Sequence, residues 1–225
     1  MIDTIVHAFH GGGFWMWFIL LTFISSWGIT FERTFALYIR VRDDKDVILN
    51  GLNKHIFRRD LYGAIRFLDA QRPGPLVRIL KAGLLKVHRP DIEVQAALDQ
   101  ASLREVPELE KRTGYLAVLS NAATLIGLLG TIVGLISCFA AVANVDPAQK
   151  ATILAAGIAE AMNCTAFGLI TAIPALICYA LLQSRTQHLI DGINEAVVTE
   201  LNLVLGNRKL LGSPEGVEEG SAAQA

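Results

Sequence analysis

Glu160 is the only formal charge in two long apolar runs, residues 114–143 and 151–184. An acid at the centre of a membrane helix costs on the order of 3 kcal/mol, and such residues mark ion or proton paths. A carboxyl group in that setting takes up and releases a proton. Thr131 and Thr165 share the two runs, and each hydroxyl both donates and accepts, so it orders water without adding charge. Ser120, Thr124, Gly127, Thr131, Gly134 and Cys138 recur at alternating spacings of four and three, a stripe of small and hydroxylated side chains down one helix face. In lipid such stripes let helices approach closely and bond across the contact.

Other chemistries lack their residues. GLLGTIVG at 127–134 is Gly-rich, but no Lys-Ser/Thr follows, so it is no phosphate loop. The apolar runs contain no His and a single acid, which excludes a Ser-His-Asp or paired-carboxylate centre and with it a hydrolytic enzyme. Cys138, Cys164 and Cys178 have no CxxC spacing and read as packing residues, leaving no metal or disulfide assignment. His7 and His10 share a helix face, but two histidines near a chain start read as an interfacial segment. A net charge of −1 gives no reason for nucleic-acid binding.

The elements that position Glu160 and the threonines are membrane helices. Hydrophobic residues make up 52% of the chain, mean hydropathy is +0.43, and the apolar residues come in unbroken runs. Counted from Asn144, Thr131 lies about 20 Å into the first long run at helical rise. Counted from Lys150, Glu160 lies about 15 Å and Thr165 about 22 Å into the second. These depths place the threonines at nearly one level and Glu160 near the midplane of a core about 30 Å thick. Positions 160 and 165 differ by about 140° around a helix, so they face different surroundings.

In order, residues 1–13 form a short lead. Residues 14–31 make an uncharged first span, with Trp15, Trp17 and Trp27 toward its ends. No basic n-region precedes it, so it reads as an anchor rather than a signal peptide. Arg33, Arg40, Arg42 and Lys45 follow, and the positive-inside rule puts the N-terminus outside. Residues 32–113 hold 16 of the 20 basic residues against 12 acids and form a helical cytoplasmic domain. There Asp60 caps a helix with Leu61, Ile65 and Leu68 inward, and Pro73-Gly74-Pro75 breaks the chain. Leu76, Ile79, Leu80 and Leu84 mark the next helix, and Pro90-Asp91 starts a long one with Val94, Leu98 and Ala101 inward. Pro107 should kink or split it before Thr113. The second span is 114–143, the turn 144–150 and the third span 151–184. The excess length of both spans is expected on the cytoplasmic side. Residues 185–211 read as an amphipathic cytoplasmic helix with Leu189, Ile193, Val197 and Leu201 inward, and 212–225 as a disordered acidic tail. The fold class is an all-α membrane protein with three transmembrane helices that extend into a helical cytoplasmic domain.

The motifs GLLGTIVG at 127–134, GIAEAMNCTAFGL at 157–169 and AIPA at 172–175, with the three-span order, resemble the MotA/TolQ/ExbB proton-channel family, specifically its TolQ/ExbB branch. The resemblance implies a homopentamer in the bacterial inner membrane. Its pore would hold the helices of two single-span ExbD/TolR-type subunits, whose membrane Asp accepts and releases the proton. It matches Thr131 and Thr165 to pore-lining threonines and Glu160 to the intramembrane Glu. Gly127, Gly130, Gly134, Gly168 and Pro174 fall within the motifs as pore-packing residues. Protons are then the transported ion, no cofactor is needed, and the partner's movement energises an envelope, outer-membrane transport or gliding process. Ala180 stands where the family commonly has Asn. The alternative reading is a non-conducting membrane scaffold of an envelope complex. A flagellar-type stator would have four spans rather than three.

Overall fold

The structure is a computed structural model that describes residues 13–41, 45–143 and 145–211, the side chains of 39–40 and 207–211 excepted. His7, His10 and the acidic tail lie outside the described residues. In chain order the helices are α1 (Trp15–Phe35), which ends in a π-helical turn Ala36–Arg40, α2 (Lys45–Phe57), α3 (Leu61–Ala70), α4 (Pro75–Leu84), α5 (Asp91–Glu110), α6 (Thr113–Val142) and α7 (Pro147–Leu211). Among the described residues there is no strand. Three helical stretches are long and apolar enough to cross a membrane, Trp15–Tyr38, Asp91–Val142 and Pro147–Gly206. The chain divides into two compact units, one of residues up to Thr34 with Arg112–Gln183, the other of Phe35–Lys111 with the residues from Ser184.

In the first unit α1 runs antiparallel to α6. At one end the Nε of Arg33, a residue only 6% exposed, donates to the Thr113 hydroxyl at 3.4 Å, and Arg112 pairs with Glu32 at 2.5 Å. At the other end Trp15 lies against Gly130, and Met16 and Ile19 are buried with Cys164. This register sets how far α6 reaches past α1. Thr113 opens α6 level with the C-terminal end of α1, so residues 131–142 of α6 project about 18 Å past the first residue of α1, on the N-terminal side.

The second unit is built by local signals. Asp60 caps α3, accepting from the Gly63 N–H at 2.7 Å. Pro75 occupies the first turn of α4, where its missing N–H costs nothing. Asp91 and Glu93 place negative charge at the N-terminus of α5. Pro107 does not stop α5, which continues to Glu110. The break falls at Arg112, held at φ 62°, a conformation unusual for a side-chain-bearing residue. Ala64, Leu68, Leu76, Ile79, Leu80, Leu84, Val94 and Leu98 supply the apolar core.

α7 departs from expectation in two ways. The third span and the amphipathic segment form one 65-residue helix, because Gln183-Ser184-Arg185 offers no glycine, proline or cap to end it. The inward face of its C-terminal part is Thr186, Ile190, Ile193, Ala196, Glu200 and Val204, not the expected Leu189, Val197 and Leu201, which are half-buried. A strict four-residue repeat drifts about 40° per step around a helix, whereas alternating threes and fours hold one face. Glu200 is thereby buried to 1% exposure, with neither carboxylate oxygen hydrogen-bonded. A side chain on Gly83 would meet Leu98 and, at 3.2 Å, Glu200 Oε1. Burial alone pushes the Glu200 carboxyl well above the usual carboxylate range.

Candidate functional site

The site is built on the α6–α7 hairpin, where two antiparallel helices approach through small residues. The Ser120 hydroxyl donates to the Ala172 carbonyl at 2.8 Å. A side chain on Gly168 would strike the Ala123 carbonyl oxygen at 2.9 Å and Gly127 Cα at 3.1 Å. One on Gly127 would meet the Cys164 carbonyl oxygen at 3.1 Å, one on Gly130 the Cys164 sulfur at 2.7 Å, and one on Gly134 Ala161 Cβ at 3.3 Å. The glycines that sequence reading assigned to pore packing therefore pack α6 against α7 within one chain. Pro174 is half-buried inside α7. Ser120→Ala should cost about 0.5–1.5 kcal/mol, the net worth of one hydrogen bond. Reversible unfolding of the purified protein in detergent measures it.

The two threonines are not brought together. The Thr165 hydroxyl donates across the interface to the Gly127 carbonyl at 3.3 Å, whereas Thr131 donates back to Leu128 in its own helix at 2.6 Å. Gly130 packs on Cys164 and Gly134 on Ala161, so Thr165 lies opposite Leu129, about 3 Å along the helix axis from Thr131. Both donors are engaged, so what each hydroxyl offers to water or another helix is its remaining acceptor capacity. Thr124, on the expected stripe, is exposed and bonds the Ser120 carbonyl at 3.2 Å.

Glu160 sits beside Gly134–Ala161, with its carboxylate against Gly13, the residue before α1. Gly13 is at φ 70°, and a side chain there would run into Glu160 Oε1. Trp15 is level with Gly130 and Glu160 with Gly134, so Glu160 lies about 6 Å beyond the first residue of α1, on the side where α1 begins.

Above the first turn of α1 the groove between α6 and α7 opens into a cleft of about 640 Å³. Phe14 and Trp15 floor it, Gly130, Gly134, Ser137 and Cys138 form the α6 wall, and Ile153, Gly157 and Glu160 the α7 wall. The Cys138 thiol donates toward the carbonyls of Ile153 and Leu154, at 3.6 and 3.7 Å. Sequence reading missed Ser137 and Gly157 here, although Gly157 lies one turn from Glu160 on α7 and Ser137 one turn from Gly134 on α6.

Residues 71–195 of the chain, more than half its length, match the MotA/TolQ/ExbB proton channel family. This segment contains α4, α5, α6 and the membrane part of α7. The biopolymer transport protein ExbB of Salmonella typhimurium is 41% identical over 179 residues, 72% of this chain and 68% of that protein. The Tol-Pal system protein TolQ of Pseudomonas aeruginosa is 40% identical over 97 residues, and the TolQ of Haemophilus influenzae 41% over 91. Those two matches span 42% and 39% of the TolQ proteins' own lengths. With the three apolar helices, the small-residue hairpin and the lone acid between them, this similarity shows that the chain belongs to the MotA/TolQ/ExbB proton channel family, in its TolQ/ExbB branch.

Proposed function

We propose that this protein is the channel subunit of a proton-driven motor in the inner membrane, moving a single-span ExbD/TolR-type partner. The observation that carries the reading is Glu160. It is the only acid in the apolar stretches of α6 and α7, it faces an open cleft, and among the described residues no cation pairs with it. A transport step needs a second protonatable group, which this chain lacks in its membrane segments and a membrane Asp of the partner would supply. A non-conducting scaffold would account for the hairpin glycines but leaves the cost of Glu160 without a return.

On this reading, several copies, five by family resemblance, surround two partner helices. Thr131 and Thr165 turn acceptor oxygens toward water or the partner, and Glu160 exchanges protons on the outer side. The basic residues after α1 orient the chain with its N-terminus outside and α2–α5 in the cytoplasm. Each proton crossing 100 mV yields about 2.3 kcal/mol, so work on a load requires several protons or several subunits. The names of the relatives suggest loads of the Tol-Pal or biopolymer-transport kind.

Complementation of a deletion strain tests the role. Glu160→Ala and Thr165→Val should each abolish the energised process while the protein still accumulates in the membrane. Wild-type behaviour of both would refute the proton-path assignment.

A further inference from the structure

From the geometry we infer that the cleft between α6 and α7 is the aqueous vestibule through which outside protons reach Glu160, so that access runs within each subunit rather than down a central lumen. This rests on the proton-channel reading above. The cleft extends along α6 from Ala141, near the hairpin tip, to Gly130, about 16 Å of helix. Its closed end is the first turn of α1, and there the carboxylate of Glu160 lies against Gly13. Below that level the same groove is filled, Met16 and Ile19 packing on Cys164. The passage therefore ends at the acid.

Two features make it a water path rather than a packing fault. Ser137, exposed on the α6 wall, provides a hydroxyl, and the exposed Glu160 a carboxylate, at positions where water needs polar partners. Gly13 has no side chain to run into that carboxylate, as any larger residue there would. Gly134 and Gly157 hold the two walls together, since a side chain on Gly157 would overlap Cys138.

Carbodiimides test it, because they react with carboxyl groups and come in water-soluble and lipid-soluble forms. Right-side-out vesicles carrying the full chain with its partner are treated from outside with the water-soluble reagent EDC or the lipophilic reagent DCCD. Modification of Glu160 is then read by peptide mass. Wild-type Glu160 should react with EDC. Ser137→Leu and Gly157→Val should slow that reaction about tenfold or more, with the DCCD rate unchanged. Ser137 is exposed, so Ser137→Leu stays informative even if Gly157→Val disturbs folding. An EDC rate equal in wild type and Ser137→Leu, or no EDC reaction at all, would overturn the vestibule. Proton flux in the same vesicles separates the two ideas. Normal flux in the plugged variants sinks the vestibule and leaves the motor, whereas EDC labelling with no flux in any sample sinks the motor and leaves the vestibule.

Discussion

Gly168→Val is expected to abolish stable accumulation of the protein. A Cβ at 168 would lie 2.9 Å from the Ala123 carbonyl oxygen and 3.1 Å from Gly127 Cα. Both are backbone atoms of a helix and have no rotamer by which to yield. Overpacking of a well-packed site costs about 1–3 kcal/mol, and a branched side chain against backbone should reach or exceed the upper figure. Separating the helices also strains the Ser120–Ala172 and Thr165–Gly127 hydrogen bonds, which need the same close approach. Gly114→Ala is the matched control, because nothing lies within 4 Å of a Cβ there. Replacing that helical glycine should be neutral or stabilising by up to about 1 kcal/mol. Membrane abundance and unfolding of the two variants in detergent make the comparison. Equal behaviour would mean that the α6–α7 contact is not as close as described.

Glu200→Leu should stabilise the second unit and remove a pH dependence. The carboxyl is buried without a hydrogen bond, and an unsatisfied buried polar group costs about 1–3 kcal/mol. Leucine of similar size, beside Leu98, removes that cost. The sign of the pH effect follows from the raised native value. Above the unfolded glutamate range near pH 4.3 the native state keeps a proton that the unfolded state releases. Stability therefore falls as pH rises from there to the native value, by up to about 1.4 kcal/mol per pH unit. Glu200→Gln should lose the slope while keeping the unsatisfied polar group. Unfolding of the full chain between about pH 5 and pH 8 measures both effects. A slope that survives in Glu200→Gln would assign it to another residue.

What could be read from the sequence divides along local and long-range physics. Asp60 as a cap, Pro73-Gly74-Pro75 as a break and the small-residue face of α6 are set by neighbours within one or two turns, and the structure contains each. The level of Glu160 against α1 was not legible. It depends on the register between α1 and α6, fixed by Arg33–Thr113 and Trp15–Gly130, pairs about 80 and 115 residues apart. The same limit hid the partner of Thr165, a backbone carbonyl 38 residues away. Glu200 carried a usable signal, since Ile193, Ala196, Glu200 and Val204 keep one face by threes and fours. An acid on that face argued against burial, and the surrounding core outweighed it.

The proposed motor conducts protons only together with a single-span partner. The most direct test is proton uptake into liposomes loaded with a pH-sensitive dye, under an imposed potential. It compares the protein alone, the protein with a single-span ExbD/TolR-type subunit, and that complex carrying Thr131→Val and Thr165→Val. Flux that requires the partner and is lost in the double variant is the predicted result. Equal flux with and without the partner, or no flux from the complete complex, would contradict it.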